Sequence, residues 1–501
     1  MNEAQLRQQI SLLEQENERL ARRCEFLEEQ FRLAQHQRFG QSSEGHPGQG
    51  ELFNEAEEIA DAEVEVESEQ ETIRYTRNKP KRTPLPKDLP HEEVVLDIAE
   101  EDKVCACCQG ELHPIGEDRS EKLEFIPAKV SVKVIVRPKY ACRACEKDGT
   151  SNTIKQAPMP KAVIPKGYAT NSLLSQIINS KYQFGLPLYR QEAMFRQYDI
   201  DLNRKTMSEW VLKCADVLKV LYDKLKTIQL QQPQKYADET TLNVVSEDKT
   251  KCYMWLYATG ADSPEGKIKD NTIPNIVLYD YRNSRRASCA TDYLGDYQGY
   301  LQVDGYAGYH HTQATLVGCF AHARRKFLEA KTAQGKKTSG KADWALNYIQ
   351  KLYRLETQIK EKSIQERYDI RQQKALPLLA QFKTWLDKSA NQVLPKTKLG
   401  EAIQYCLNQW EKLQRYTLDG RLSIDNNRAE RAIKPFVLGR KAWLFSQTAR
   451  GANTSAILYS IVETAKANGL TPADYLTYVL EHIVQDDCDV DTLLPWRVSL
   501  D

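Results

Sequence analysis

A short apolar run that ends in an acid places the strongest constraint on how this chain folds. In the segment Tyr300–Tyr309, YLQVDGYAGY, the apolar residues Leu301 and Val303 alternate with Gln302 and Asp304. Such alternation predicts a β-strand with one buried face, and the glycines that follow predict a tight turn. The pattern therefore places the carboxylate of Asp304 at the end of a strand, where ligand sites commonly form.

Two further acids occupy comparable positions. Asp238 lies at the head of a β-rich segment, Tyr236–Val245, and Glu430 lies near the start of a helix in the segment Asp425–Lys434. Three carboxylates from two strands and a helix can bind two divalent cations and act on a phosphodiester. The chain contains 69 acidic residues, so spacing alone does not establish this set.

After Pro233 the chain changes to short β-rich runs. They are Tyr236–Val245, Lys251–Ala258, Ile276–Tyr281 and Leu301–Asp304, and a further run at Thr315–Phe320 leads into a basic helix at His322–Phe327. Three strands with tight connections, followed by a helix and a further strand, form the opening of a ribonuclease-H-like fold. Such a sheet places Asp238 and Asp304 on adjacent central strands.

The environment of Glu430 depends on the helix that carries it. A helix that is capped near residues 425–427 and ends before Pro435 places Glu430 and Ile433 on one face, so that the acid borders the face packed on the sheet. The alternative is an exposed helix, on which Glu430 pairs with Lys434 at a spacing of four residues.

The first 34 residues repeat leucine every seven positions. Leu6, Leu13, Leu20 and Leu27 share one core position of the heptad, and Asn17 falls at the other. Leucine at d with a buried asparagine at a predicts a parallel two-stranded coiled coil, because a buried amide pair penalises other registers and higher oligomers. An amphipathic helix that packs on its own chain is the alternative.

Segregated charge marks the next segment. Residues 51–73 hold ten acids and no Lys or Arg, whereas residues 74–87 hold six Lys or Arg and no acids, which the net charge of +1 conceals. With few apolar residues to bury, this segment is predicted to be a flexible linker. Its basic run either contacts nucleic-acid phosphates or is solvated without such a role.

Four of the twelve cysteines form two Cys-x-x-Cys pairs, Cys105 with Cys108 and Cys142 with Cys145. Four thiolates suit a tetrahedral structural zinc ion and leave no open position for catalysis. The alternating run Val130–Val136 between the pairs predicts a strand of a zinc ribbon. Redox-active cysteines are the alternative, and the other cysteines are expected to be thiols in a reducing compartment.

Residues 166–232 have helical periodicity. Two helices, Leu188–Gln197 and Asn203–Val211, joined by a turn at Tyr198–Leu202, resemble a helix-turn-helix, with a plain helical bundle as the alternative. The residues near the start of the second helix, where base-edge contacts are usually made, are Arg204, Lys205 and Thr206.

These features predict a multidomain α+β protein. Its successive regions are a leucine-zipper coiled coil (1–37), an acidic and basic linker (38–90), a zinc-binding domain (91–165), a helical DNA-binding region (166–232), the first part of a catalytic core (233–339), a helical insertion (340–418), the second part of the core (419–446) and a C-terminal helical region (447–501). A separate domain is the alternative to an insertion at 340–418. No apolar run approaches the roughly 18 residues of a membrane span, so we expect a cytoplasmic protein without a membrane partner.

Over nearly its whole length the chain resembles a transposase of the insertion-sequence IS66 family. The segments that carry the resemblance are Arg38–Glu44 (RFGQSSE), the two cysteine pairs with Val136–Cys142 (VRPKYAC) between them, Ala237–Thr240 (ADET), Val303–Tyr309 (VDGYAGY), Ala321–Phe327 (AHARRKF), Asn426–Ile433 (NNRAERAI) and Tyr459–Gly469 (YSIVETAKANG). Each segment is a weak signal, but their joint order is specific. Two mild departures are the extra Cys107 in the first cysteine pair and Lys434, where an arginine is commoner.

The resemblance implies a DDE transposase in which Asp238, Asp304 and Glu430 bind two Mg²⁺ ions, with Mn²⁺ as a possible substitute, roughly 4 Å apart. Cleavage would free a 3′ hydroxyl, which the same site would join to target DNA. Further candidates for catalysis or phosphate contact are His322, Arg325 and Arg431, and candidates for DNA binding downstream of the acids are Arg440 and Lys441.

The implied partners are double-stranded DNA, both as element ends and as target, a second copy of the chain through the coiled coil, and accessory proteins of the same element. The implied location is the bacterial cytoplasm, at the nucleoid when bound to DNA. Two other functions remain open. A nuclease of the same fold without strand transfer would share the metal ligands, and a zinc-containing DNA-binding regulator would have no use for acids at strand ends.

Overall fold

A computed structural model describes residues 130–141, 154–249, 251–334 and 340–500, together with Glu16, Leu20, Arg23, Leu27 and Cys107. It divides into two units, one made of Met1–Glu69 with Pro158–Asp501 and the other of Gln70–Ala157. The predicted linker, the four predicted zinc ligands and most of the predicted coiled coil lie outside the described residues. The four described residues of the coiled-coil segment are helical, and Leu20 and Leu27 are exposed.

The unit Gln70–Ala157 contains an antiparallel strand pair, β1 (Lys139–Ala141) and β2 (Ile154–Gln156). The prediction of a strand at Val130–Val136 is wrong. Its residues alternate, but the run has no ladder partner within residues 130–141 and 154–249, and Val132 is 91% exposed. Alternation predicts a strand only where the backbone groups find a partner, and here pairing begins at Lys139.

The larger unit is built around a five-stranded mixed sheet with the order β5-β4-β3-β6-β7. Its strands are β3 (Gln234–Leu242), β4 (Cys252–Thr259), β5 (Ile276–Arg282), β6 (Tyr300–Gln302) and β7 (Thr315–Val317). Strands β3, β4 and β5 form an antiparallel meander, whereas β6 and β7 run parallel to β3. The five predicted strands are confirmed within a few residues, because each is an apolar run bounded by turn residues.

Helices flank the sheet and form the rest of this unit. They are α1 (Asn171–Tyr182), α2 (Leu188–Arg196), α3 (Arg204–Leu230), α4 (Ala287–Leu294), α5 (Phe320–Gln334), α6 (Lys341–Gln358), α7 (Ile364–Ile370), α8 (Leu376–Ala390), α9 (Lys398–Gln414), α10 (Asn427–Trp443), α11 (Ala449–Ala467) and α12 (Pro472–His482). Short 3-10 turns lie at Ala307–His311, Arg415–Leu418 and Val490–Leu493, and a π-helical turn lies at Arg371–Ala375. No helix within the described part of the chain is both long and apolar enough to cross a bilayer.

The two faces of the sheet pack against different helices. Successive strand residues point to opposite faces, so Tyr236 and Leu256 lie on one face and Ala237 and Trp255 on the other. The first face is buried in a core that also contains Ile433 of α10 and residues of α11, and the second is buried against α4. A further apolar core joins helices α5 to α9.

Helices α2 and α3 occupy the segment that resembles a helix-turn-helix. Helix α3 has 27 residues and continues well past Val211. The side chain of Asn203 accepts the N–H of Thr206 at 2.9 Å and so caps α3 at its start. The first two residues of α3, Arg204 and Lys205, are exposed.

The prediction that the helix of Glu430 ends before Pro435 is wrong, because α10 continues through Pro435 to Trp443. An interior proline removes one helical hydrogen bond and typically costs about 3 kcal/mol. Here the helix is held on the sheet on both sides of the proline, since Ile433 and Phe436 are buried in the same core. Tyr279 of β5 also donates its hydroxyl to the carbonyl of Ala432, beside the carbonyl that Pro435 leaves without a helical donor.

A buried arginine fixes the segment that leads into α10. The guanidinium of Arg371 pairs with Glu356, with Nε 2.9 Å from Oε1. It also donates to the carbonyl oxygens of Tyr416 at 2.9 Å, of Asp419 at 2.8 Å and of Leu422 at 2.8 Å. Since Arg371 is fully buried, each of these groups would lose its partner without access to water if the guanidinium were removed.

We therefore expect Arg371→Met to destabilise the protein by about 3–5 kcal/mol, because the mutation leaves the carboxylate of Glu356 buried without its partner. The matched control is Arg196→Met, which removes an exposed pair with Glu192 and should change stability by roughly 1 kcal/mol or less. The midpoint of urea unfolding measures both. Equal midpoints for the two variants would show that the Arg371 network does not stabilise the fold.

Candidate active site

The register of the sheet brings two carboxylates to the same level. Strands β3 and β6 are parallel neighbours, and Gln234 pairs with Tyr300 at an offset of 66 residues. The same offset, 304 minus 238, separates Asp304 from Asp238, although the recorded pairing ends two residues earlier. Residues at the same level of neighbouring strands point to the same face. Asp238 and Asp304 therefore project on one side of the sheet where β6 ends.

Helix α10 brings Glu430 to that same side. Leu256, the partner of Asp238 in β4, belongs to the core on which α10 packs. At the start of the helix, Asn426 donates from Nδ2 to the carbonyl oxygen of Ala237 at 2.9 Å. This bond ties the first turn of α10 to the residue before Asp238, so the position of Glu430 follows that of the strand.

The carboxylate of Glu430 is buried and has only distant cationic neighbours. The residue is 4% exposed, which excludes the exposed pair with Lys434. Nδ1 of His322 lies 3.5 Å from Oε1, and Nη2 of Arg325 lies 3.5 Å from Oε2. Neither carboxylate oxygen has a hydrogen-bond partner among the described residues. Burial raises the pKa of Glu430 to about 7, and the opposing charge of Arg325 offsets only part of this effect.

Negative charges converge in this site. Burial raises the pKa of Asp238 well above its ordinary value, and the charges of Glu239, Asp304 and Glu430 raise it further. Asp238 accepts the backbone N–H of Glu239 at 2.8 Å, and Asp304 accepts that of Tyr306 at 2.8 Å. A carboxylate has about four acceptor positions, so one such bond leaves each group able to bind a cation. Without a cation, these acids cannot all be ionised at low cost.

His322 and Arg325 reach the acids from α5. Burial and the neighbouring charge of Arg325 lower the pKa of His322 to about 4, so the imidazole is neutral near pH 7. The side chain of Arg325 is 37% exposed and keeps contact with solvent beside Glu430. The N–H of Phe320 donates to the carbonyl of Ile424 at 3.1 Å, which joins the start of α5 to the segment before α10.

Glu239 is a buried acid to which the sequence pattern assigned no role. It points to the opposite face from Asp238, where it accepts the hydroxyl of Tyr309 at 2.6 Å and Nε of Arg285 at 2.8 Å. Tyr309 lies in the turn after Asp304, so this contact holds that turn against β3. The alternation along β3 is the sequence signal that distinguishes the two neighbouring acids.

Asp425 closes the other side of the site. Its Oδ1 accepts the backbone N–H of Asn427 at 3.1 Å, which confirms the predicted cap of α10. Its Oδ2 accepts the hydroxyl of Tyr353 in α6 at 2.8 Å, a contact that no local sequence pattern indicates. The helical region therefore supports the start of α10 directly.

The remaining predicted residues lie elsewhere on α10 and α3. Arg431 pairs with Asp262, with Nε 2.7 Å from Oδ2. Arg440 donates to Oγ1 of Thr241 at 3.0 Å, and Lys441 is exposed near the end of the helix. Three further residues form the first turn of α3, namely Arg204, Lys205 and Thr206. The predicted residues that the structure brings together are Asp238, Asp304, Glu430, His322 and Arg325.

The raised pKa of Glu430 predicts a pH-dependent stability in the absence of divalent cations. Burial raises this pKa from 4.5 to about 7, so between these values the folded protein binds more protons than the unfolded chain and loses stability as pH rises. Glu430→Gln removes that loss. Thermal unfolding in metal-free buffer should show a gain of up to roughly 3 kcal/mol at about pH 8 and little gain at about pH 5. The exposed Glu361→Gln is the control, and a gain for Glu430→Gln that does not change with pH would contradict the expectation.

Family models match most of the chain. Residues 166–454 match the model described as Transposase IS66 family, and residues 460–496 match the IS66 C-terminal element. Residues 102–146 match the zinc-finger binding domain of transposase IS66, a range that includes all four paired cysteines. Residues 26–94 match a model described as Transposase C of IS166 homeodomain.

Relatives from Sinorhizobium fredii (strain NBRC 101917 / NGR234) extend over most of the chain. The uncharacterized protein y4jD is 36% identical over 433 residues, which are 83% of this chain and 82% of the relative. The uncharacterized protein y4qI is 35% identical over 464 residues, or 89% of this chain and 83% of the relative. The match to the transposase model alone covers more than half of the sequence. The chain therefore belongs to the IS66 family of transposases.

Proposed function

We propose that this transposase is a DDE enzyme that cleaves the DNA at the ends of an insertion sequence and joins the resulting 3′ hydroxyls to target DNA. The observation that carries the proposal is the shared offset that brings Asp238 level with Asp304, on the face where α10 supplies Glu430. Three carboxylates on one side of a sheet are the ligands that phosphodiester chemistry with divalent cations requires.

The proposed fold of the catalytic core is ribonuclease-H-like. The support for it is the strand order, in which an antiparallel meander is followed by two strands parallel to the first strand of that meander. The helices between α5 and α10 occupy the region predicted as an insertion, and Tyr353 connects that region to Asp425 at the start of α10. An insertion that supports the third acid explains why it stands between the second and third carboxylates.

The acid site suits Mg²⁺ or Mn²⁺. Both oxygens of Glu430 are buried without a hydrogen-bond partner among the described residues, and oxygen ligands are the ones these ions prefer. Asp238, Asp304 and Glu430 would hold the ions, which supply a Lewis acid and lower the pKa of bound water. Ligation would also remove the repulsion that now raises the pKa of Asp238.

The neighbouring side chains have roles that follow from their charge. His322 is neutral near pH 7, so it can accept or donate a hydrogen bond at the site without competing for the carboxylates as a cation. Arg325 carries a permanent charge and remains partly exposed beside Glu430, where it can bind a DNA phosphate oxygen. Arg431 is less suited to this role, because its guanidinium is paired with Asp262.

DNA binding would extend beyond the acid site. The exposed Arg204 and Lys205 at the start of α3 are proposed to contact the element ends, and Arg440 and Lys441 to contact phosphates. A parallel coiled coil through residues 1–37 would pair two protomers, so that both element ends meet in one complex. Accessory proteins of the element and a cytoplasmic, nucleoid-associated location complete the proposal.

A strand-transfer assay tests the proposed reaction. With Mg²⁺, the accessory proteins and DNA that carries the element's own ends, Asp238→Ala, Asp304→Ala and Glu430→Ala should each lower joining by roughly a thousandfold or more, because each removes a metal ligand. The exposed Asp369→Ala is the matched control. Cleavage without joining by the unmodified protein would favour a nuclease. DNA binding without either reaction would favour a regulator, and full joining by the acid variants would refute the assigned residues.

Metal analysis tests the proposed zinc ligands. Cys105→Ser or Cys142→Ser should leave the protein with about one zinc ion fewer per chain, because three thiolates no longer close the tetrahedral site. Cys107→Ser is the matched control, since this cysteine lies between the proposed ligands and outside the Cys-x-x-Cys spacing. Loss of zinc from Cys107→Ser with retention in Cys105→Ser would reverse the assignment of the first pair.

A further inference from the structure

A thiol, an imidazole and a carboxylate meet beside the proposed Mg²⁺ ligands. Cys319 immediately precedes α5, His322 lies in the first turn of that helix, and Glu430 comes from α10. One potential ligand atom from each residue lies within 4.8 Å of the other two. The set differs from the three acids, because sulfur and nitrogen donors favour softer cations such as Zn²⁺ over Mg²⁺.

Two of the three groups have buried polar atoms without a partner. Both carboxylate oxygens of Glu430 and Nδ1 of His322 have no hydrogen-bond partner among the described residues, and Glu430 is more than nine-tenths buried. Native proteins seldom leave such atoms unsatisfied, and an absent ion is one of the common explanations. The 3.5 Å between Nδ1 and Oε1 is close to the separation of roughly 3.4 Å between two tetrahedral ligands of zinc.

The surroundings of Cys319 favour a thiolate once a cation is present. Its sulfur accepts the backbone N–H of Asn426 at 3.2 Å, at the start of α10. In the absence of metal, burial raises the pKa of the thiol well above its ordinary value, and the charges of Asp425 and Glu430 raise it further. A bound cation would reverse both charge effects, and the thiol proton would pass to solvent as the bond from sulfur to metal forms.

The charged groups around the cluster define how an ion would bind. Arg325 faces Oε2 of Glu430, whereas His322 faces Oε1, so a cation beside Oε1 would be on the side away from the guanidinium. The negative charge of Asp304 also acts on His322 and would attract a cation. Three protein ligands would leave one tetrahedral position open for water.

We propose that Cys319, His322 and Glu430 form a second, thiol-containing metal site that binds Zn²⁺ or Cd²⁺ and is separate from the four paired cysteines. The site shares Glu430 with the oxygen ligands of the proposed active site. A thiophilic ion there therefore withdraws Glu430 from Mg²⁺ and inhibits strand transfer. This inhibitory effect rests on the proposed function, whereas ion binding does not.

Binding is tested on the full-length chain with Cd²⁺ as the probe. Thiolate ligation to Cd²⁺ produces an ultraviolet charge-transfer absorbance, and the zinc-finger cysteines contribute equally in all variants. Cys319→Ser should show less absorbance at saturation than the unmodified chain and about one bound ion fewer. The buried thiol of Cys406 in the core of α5 to α9 supplies the matched control, Cys406→Ser, which should match the unmodified chain.

His322→Asn keeps all thiols and provides a second variant. It should weaken Cd²⁺ binding at this site by on the order of tenfold or more, because it removes one of three ligands. Equal ion content and equal affinity in the unmodified chain, Cys319→Ser and His322→Asn would overturn the site. Loss of the ion in Cys406→Ser, with retention in Cys319→Ser, would place the ion elsewhere and overturn it as well.

Inhibition is tested in the strand-transfer assay with Mg²⁺ and increasing Zn²⁺, each variant being compared with its own activity without Zn²⁺. Half-inhibition of Cys319→Ser should need on the order of tenfold more Zn²⁺ than half-inhibition of the unmodified chain. Equal sensitivity would overturn the competition for Glu430. Specific Cd²⁺ binding by a chain that performs no joining would support the metal site and count against the proposed function alone.

Discussion

The parallel pairing of β3 with β6 is the constraint on which the rest of the site depends. Hydrogen bonds between the strands fix an offset that places Asp238 and Asp304 side by side. Two carboxylates at this distance from one another, removed from water, repel and lose solvation, and the raised pKa of Asp238 records both effects. The sheet holds them together because its own core is apolar on both faces and does not relax when the acids are charged.

The third acid requires a different kind of support, because it arrives on a helix from a distant part of the sequence. The bond from Asn426 to the carbonyl of Ala237 sets the position of the helix start relative to β3. The capping of α10 by Asp425 and the contact of Asp425 with Tyr353 fix it from the side of the helical region. The buried guanidinium of Arg371 holds the segment just before it. These polar contacts are buried and satisfied, so they locate one helix start without flexibility.

The sequence predicts those features that depend on local periodicity. Apolar alternation and turn residues located the five strands, and parity along β3 separates Asp238 from Glu239. Local patterns failed where long-range packing decides the outcome. Pro435 lies inside a helix because Ile433 and Phe436 anchor that helix on both sides, and Val130–Val136 has no ladder partner within the described part of the chain. The contacts of Asn426 and Asp425 join residues far apart in the chain, and no spacing rule reports them.

Glu430 is the point at which two different metal chemistries would compete. Its neighbours on one side are the carboxylates of the two strands, which favour hard cations that retain water, and on the other a thiol and an imidazole, which favour zinc. The same burial that makes its charge costly in the empty site makes ligation by either ion more favourable. The ion that binds is then set by concentration and by the donor on each side. Cys319 therefore determines how strongly the site discriminates between a catalytic and an inhibitory cation, although it does not take part in the chemistry.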